Sequence, residues 1–170
     1  MRHPVLTGEY EITCDDKKRI LVPIEVRRAI PLEVGESFYC FRGVNRIWWL
    51  YPEKVYESLH MNQPSDMVPS EESLAFDQMV FGMTARLPWD KQGRILLPER
   101  VFRDEGMTRE LTLVGVRDHL ELWGRAAWEV RRAELEAKAM EVFAKGKQAR
   151  QNLPVEPKVA MTPISGPAVQ

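Results

Sequence analysis

The sequence predicts an α+β chain in which one β-rich unit occurs twice, the two copies packing on each other as an intrachain pseudo-dimer with flanking helices. Three observations predict it. "DDKKRILVP" at Asp15–Pro23 returns as "DKQGRILLP" at Asp90–Pro98, a shift of 75 residues. "GVNRIWWLYPEKVY" from Gly43 lies on "GVRDHLELWGRAAW" from Gly115, a shift of 72. Around these motifs each copy runs strand, strand, helix, strand, strand, helix, so the repeat precedes every other reading. A unit of about fifty residues with short strands has too little apolar surface for independent stability in most cases, and two copies in one chain can bury each other.

The elements follow in order. "EYEIT" and "TARLPW" read as short strands. The Asp-x-x-Gly step at Asp90–Gly93 suits a type I turn closed by a left-handed glycine. "RILVP" and "RILLP" form the return strands, matching Arg19 with Arg94, Ile20 with Ile95, Leu21 with Leu96 and Pro23 with Pro98. A proline suits the first turn of a helix, and short helices follow at "PIEVRRAI" and "PERVFRDE". Gly35 and Gly106 lie in the loops beyond. Second hairpins come at "SFYCFRGVNRIWWLY" and "LTLVGVRDHLELW". Between the copies, "EKVYESLHM" is helical and "NQPSDMVPS" is turn-rich. Ser70 caps a third helix, "EESLAFDQMVFG", with Glu71 and Glu72 in its first turn. A long helix is predicted from about Arg125 to Lys147, with Trp128, Leu135, Ala139 and Val142 on one face. The predicted organisation is a first domain at 9–54, a helical linker at 55–83, a second domain at 84–127, a C-terminal helix at 128–150 and a disordered tail at 151–170.

Composition narrows the function. With 44% hydrophobic and 29% charged residues the chain reads as soluble and globular. No apolar run approaches the ~18 residues of a membrane span, and the start lacks the apolar core of a signal peptide. The cytoplasm is therefore the default, with no membrane partner. Cys14 and Cys40 sit in apolar strand-like runs and read as buried free thiols. His3, His60 and His119 are scattered, with no metal-ligand spacing. No nucleophile-base set, phosphate loop or carboxylate cluster recurs, so neither an enzyme, a cofactor nor a small-molecule substrate is expected. A net charge of −1 argues against a nucleic-acid partner at first sight. Residues 53–79 hold one lysine against six acids, however, so the balance can hide a basic face elsewhere.

Asp15, Asp90 and Gly93 are turn chemistry. For Arg19 and Arg94 two readings stand level: a strand arginine paired with the aspartate of its own turn, or an arginine aimed at a partner. The duplication favours the second, because a turn does not need arginine at the same offset twice. The planar guanidinium can grip guanine O6 and N7, or a phosphate. Lys17, Lys18 and Lys91 would then be phosphate contacts that position without specifying. Arg27, Arg28 and Arg103 follow the prolines on short helices, where a solvated face is the plain alternative. Arg28 and Arg103 match between copies, which favours DNA-backbone contact. Trp48, Trp49, Tyr51, Trp123 and Trp128 alternate as packing residues do, rather than as base-stacking platforms.

Two acid-x-x-Gly-Arg-apolar-Pro hairpins 75 residues apart, with the strands that follow them, resemble the MraZ family of bacterial transcriptional regulators. Each repeat resembles the SpoVT-AbrB swapped-hairpin domain, and the likeness covers most of residues 9–130. The resemblance implies a double-psi-like β-barrel formed by the two repeats. It also implies a cytoplasmic, nucleoid-associated, ring-like homo-oligomer. Such a protein would bind short repeated promoter boxes in double-stranded DNA and repress a division and cell-wall gene cluster containing its own gene. It places the DNA-facing arginines at Arg19 and Arg94. Lys18 departs from the pattern, standing where the family has glycine. A left-handed non-glycine residue costs on the order of 1 kcal/mol, which leaves the first turn open to a different shape and makes the carry-over firmer for Arg94 than for Arg19. The extra positive charge is the compensating gain. Two alternatives remain: an oligomeric protein-interaction scaffold, which the net charge would suit, and an AbrB-like transition-state regulator or antitoxin. The duplication argues against the latter, whose members usually carry one such domain per chain.

Overall fold

A six-stranded antiparallel sheet has one β-hairpin from each repeat at its middle. In the computed structural model, which describes residues 4–60 and 67–151, these hairpins are β3 (Ser37–Arg42) with β4 (Trp48–Pro52), and β7 (Glu110–Val116) with β8 (His119–Gly124). They join through β4 and β8, with Trp48 opposite Leu122 and Leu50 opposite Leu120. Each outer flank takes the first strand of the other repeat. β1 (Glu9–Thr13) pairs with β7, Tyr10 facing Leu113, and β5 (Ala85–Pro88) pairs with β3, Leu87 facing Phe38. The strand order is β1-β7-β8-β4-β3-β5.

The return strands complete the exchange. β2 (Arg19–Leu21) was expected to fold back on β1, and β6 (Arg94–Leu96) on β5. Instead β2 and β6 pair with each other as a separate two-stranded ribbon, Ile20 opposite Ile95. Val22 N donates to Gly93 O at 3.0 Å and Leu97 N to Lys18 O at 2.9 Å, so both turns are bonded into the ribbon. The chain is thus an α+β fold of two interlocked repeats. Among the described residues strand pairing does not close the sheet into a continuous barrel; β1 and β5 are its edges.

Alternation explains the exchange. Ile20, Val22, Ile95 and Leu97 point inward from the ribbon and are essentially fully buried. They meet Phe38, Cys40, Leu50, Leu111, Leu113, Leu120 and Leu122 from the sheet in one core drawn from both repeats. Neither repeat owns enough of that core to close it. On the sheet's other face Tyr39, Phe41, Trp49, Tyr51 and Tyr56 pack ring on ring, Tyr39 and Tyr56 stacked at 4.4 Å. These aromatics serve packing. Cys14 and Cys40 are buried thiols, Cys40 pushed up to about 12 by burial.

Short helices follow the ribbon strands. α1 (Ile24–Ala29) follows Pro23, while the matching segment after Pro98 tightens to a 3₁₀ turn over Glu99–Arg103. α2 (Glu53–His60) continues β4 directly. Ser70 Oγ accepts from Ser73 N at 3.2 Å and caps α3 (Glu71–Asp77). The predicted third helix does not run on regularly; it widens into a π-helical turn over Gln78–Gly82. The predicted C-terminal helix is likewise divided, into α4 (Arg125–Ala137) and α5 (Ala139–Gln151). Lys138 N still donates to Glu134 O and Val142 N to Lys138 O, so the break is confined to one residue. The described chain forms two compact units, one holding both repeats through Arg131 and one beginning at Arg132. Part of the turn-rich linker, and the expected tail beyond Gln151, lie outside the described residues. Among the described residues no helix is long and apolar enough to cross a membrane.

Candidate functional site

Two aspartates build the turns that present the ribbon. Asp15 Oδ1 accepts from Lys17 N at 2.9 Å and Arg19 N at 2.8 Å. Asp90 Oδ1 accepts from Gln92 N at 2.9 Å and Arg94 N at 3.0 Å. An aspartate side chain that accepts from the N–H groups two and four residues on stands in for backbone acceptors that a tight turn lacks. The closing bonds also match, Lys18 N to Asp15 O at 3.0 Å and Gly93 N to Asp90 O at 2.8 Å.

The second carboxylate oxygen holds the arginine. Arg19 Nε donates to Asp15 Oδ2 at 2.7 Å with its Nη2 ion-paired to the same oxygen at 2.7 Å, and Arg94 Nε and Nη2 meet Asp90 Oδ2 in the same way at the same distances. Both arginine side chains are 29% exposed. The plain alternative for these arginines, pairing with their own turn, is therefore present in the structure. It does not exhaust them. The aspartate uses the Nε–Nη2 edge, and the Nη1–Nη2 edge of each planar guanidinium keeps its outward donors. Arg94's side chain first, then its backbone N–H, hold the Asp90 carboxyl down to about 2. The backbone N–H of Arg19, then its guanidinium, lower Asp15 in the same direction.

The arginines were expected on two separate hairpin tips. The register instead sets Arg19 opposite Leu96 and Leu21 opposite Arg94. They lie diagonally on the outward face of a single ribbon, about 7–8 Å apart by strand geometry. Between them stand Leu21 and Leu96, 52% and 58% exposed. The sequence reading missed these leucines. The available signal was their shared offset in the two copies, combined with the two-residue alternation that buries Ile20 and Ile95.

Other candidates are distributed around this face. Lys17 and Lys91 are exposed at the turns and make no ion pair among the described residues. Arg28 and Arg103 are exposed on the segments after Pro23 and Pro98. Lys18 is not at liberty: its ammonium is ion-paired with Glu99 and stands 5.8 Å from the Phe102 ring centroid. Nor does it reshape the first turn, since Lys18 adopts φ 62° where Gly93 adopts φ 77°. Arg27 belongs to the second turn rather than its own. A Cβ built on Gly93 would stand 2.7 Å from Arg27 Nη1, so the guanidinium lies where a side chain would be, while Arg27 Nε donates to Val22 O at 3.1 Å. Arg109 braces the first turn, donating to Cys14 O at 3.0 Å and pairing with Asp16 at 2.7 Å. Glu36 makes the corresponding backbone bond to the second turn, accepting from Trp89 N at 2.9 Å, so the repeat carried no signal for Arg109. Among the described residues no three His, Cys, Asp or Glu gather as metal ligands would.

The family profile described as "MraZ protein, putative antitoxin-like" matches residues 5–76 and again 80–151, offset by the same 75 residues as the hairpin echo. The chain belongs to the MraZ family. Its relatives include the transcriptional regulator MraZ of Roseiflexus castenholzii, 32% identical over 72% of this chain and 82% of that protein. The transcriptional regulator MraZ of Clostridium tetani is 29% identical over 72% of this chain and 83% of its own length. That of Desulfitobacterium hafniense is 30% identical over 86% and 96%. The MraZ profile matches once per repeat, and the exchanged strands interlock the two matched segments.

Proposed function

We propose that this protein is a sequence-specific DNA-binding transcriptional regulator that inserts the β2–β6 ribbon into the major groove. One observation carries the reading: two aspartate-oriented arginines lie diagonally on the outer face of a two-stranded antiparallel ribbon. The major groove admits such a ribbon, and an arginine held side-on by a carboxylate can meet guanine O6 and N7 with its remaining edge. Asp15 and Asp90 fix the guanidinium planes before DNA arrives, which lowers the ordering cost of binding. Lys17 and Lys91 would meet phosphates on either side, and Arg28 and Arg103 the backbone further out. Arg27, lying over Gly93, adds positive charge to the second turn. The names of the relatives support regulation of transcription.

The regulator acts as a repressor of a division and cell-wall gene cluster containing its own gene, by occupying short repeated promoter boxes against polymerase. One ribbon makes few base contacts and binds weakly alone. A ring-like homo-oligomer gains through effective concentration when boxes recur at matching spacing. This places it in the cytoplasm on the nucleoid. The test is a gel shift of the full chain on DNA upstream of its own gene, with light scattering of the complex. Binding should fall steeply with salt, as counterion release requires. Undiminished specific binding by the Arg19→Ala/Arg94→Ala double variant would overturn the assignment, and salt-independent assembly without DNA would favour a scaffold.

A further inference from the structure

The outward face of the ribbon carries two residue types. Arg19, Leu21, Arg94 and Leu96 form a rectangle in which each arginine faces a leucine across the strands. The inward residues beside them, Ile20, Val22, Ile95 and Leu97, are at most 2% exposed, against 52% and 58% for Leu21 and Leu96. A single exposed leucine calls for no explanation. Here two occur at the same offset of a repeat, each opposite an arginine clamped by its own turn. They add nothing to the core, and the solvent face of a strand is ordinarily polar.

Base edges in the major groove offer donors, acceptors and one apolar group, the C5 methyl of thymine. Opposite residues on one face of an antiparallel pair stand about 4.5–5.5 Å apart, and successive bases on a strand about 3.4 Å apart. Each leucine therefore falls within one or two base steps of whatever the facing arginine holds. We propose that Leu21 and Leu96 pack on thymine methyl groups, so that the ribbon reads a thymine beside each arginine-held base. The inference rests on the DNA-binding reading above and assigns part of its specificity to residues that carry no charge.

The test begins with duplexes enriched from a random library by the full chain. Each thymine is then replaced in turn by deoxyuridine, which removes only the methyl group. Affinities are measured for the native chain and for Leu21→Ala, Leu96→Ala and the double variant. At one or two positions the replacement should weaken native binding by roughly threefold to tenfold. The matching Leu→Ala variant should lose a similar factor on unmodified DNA and lose nothing more on the replaced duplex. Indifference of the native chain to deoxyuridine at every position overturns the inference, as does an undiminished methyl effect in the double variant. A lower oligomer mass for the variants with methyl dependence intact would assign the leucines to contact between copies instead. Enrichment of no duplex at all would sink the DNA-binding reading itself, an outcome distinct from enrichment without methyl dependence.

Discussion

At the first turn Lys18 holds a left-handed backbone at φ 62°, and at the second Gly93 holds the same turn at φ 77°. The aspartate bonds, the arginine clamps and the arginine exposures match between them. Their surroundings do not. Lys18 reaches out to Glu99 and Phe102, whereas Gly93 lies beneath the guanidinium of Arg27. Arg27 and Phe102 occupy matching positions of the two repeats, so each turn is completed by a residue of the other copy. Positive φ by itself does not enforce glycine in this turn. The aspartate and the cross-ribbon bonds impose the turn strongly enough to keep a lysine in it. At 93 the guanidinium of Arg27 lies where a side chain would be, so any substitution there must also displace that flexible end.

The largest effects should test whether the two turns are equivalent on DNA. Arg19→Ala and Arg94→Ala should each cost about 1–3 kcal/mol of specific binding. Titrations on one operator duplex check this, and a tenfold gap between the two variants would break the equivalence. The next test separates backbone strain from space. Gly93→Ala should destabilise by about 1–2 kcal/mol, from the left-handed alanine and the displaced Arg27. Lys18→Gly should leave thermal stability unchanged or raise it by up to about 1 kcal/mol, because it relieves the same strain and loses an exposed ion pair with Glu99 and the ammonium's contact over Phe102. A Lys18→Gly variant less stable than the native chain would mean that the Glu99 and Phe102 contacts outweigh the backbone term.

A smaller effect concerns charge at the turns. Lys17→Ala and Lys91→Ala should weaken binding to all sequences and each reduce the salt slope by about 1. Lys18→Ala should leave the slope unchanged, because Glu99 already neutralises its ammonium. An equal slope change for all three lysines would return Lys18 to the phosphate contacts. The smallest effect is a pH dependence. Asp90 is depressed from 3.8 to about 2, so its contribution to folding is complete at neutral pH and is lost as pH falls from 3.8 through about 2. Carboxyl chemical shifts followed through that range should show Asp15 depressed as well, and an ordinary value for either would remove its arginine clamp.

Much of the site was legible as local pattern. An Asp turn leading into Arg and a short apolar run closed by Pro specifies a turn and a strand, because both depend on neighbours a few residues away. The second hairpins and the capping serine were legible for the same reason. The leucines were legible only as a shared offset, since "RIL" is equally compatible with either face being inside until the partner strand is known. Arg27 was expected as a DNA contact from a short helix, because nothing within its own repeat shows that it lies over Gly93.

By itself, then, the sequence determined the duplication, the two turns and the strands that leave them, all of which arise from hydrogen bonds and periodicity of short range. The tertiary structure decided which strands pair. β1 joins β7, β5 joins β3, and β2 joins β6, each across the repeats rather than within one. Strand partners are chosen by where the combined apolar faces close a core, and that is a property of both repeats at once. The same choice brings Arg19, Leu21, Arg94 and Leu96 onto one ribbon face, which neither repeat could assemble alone.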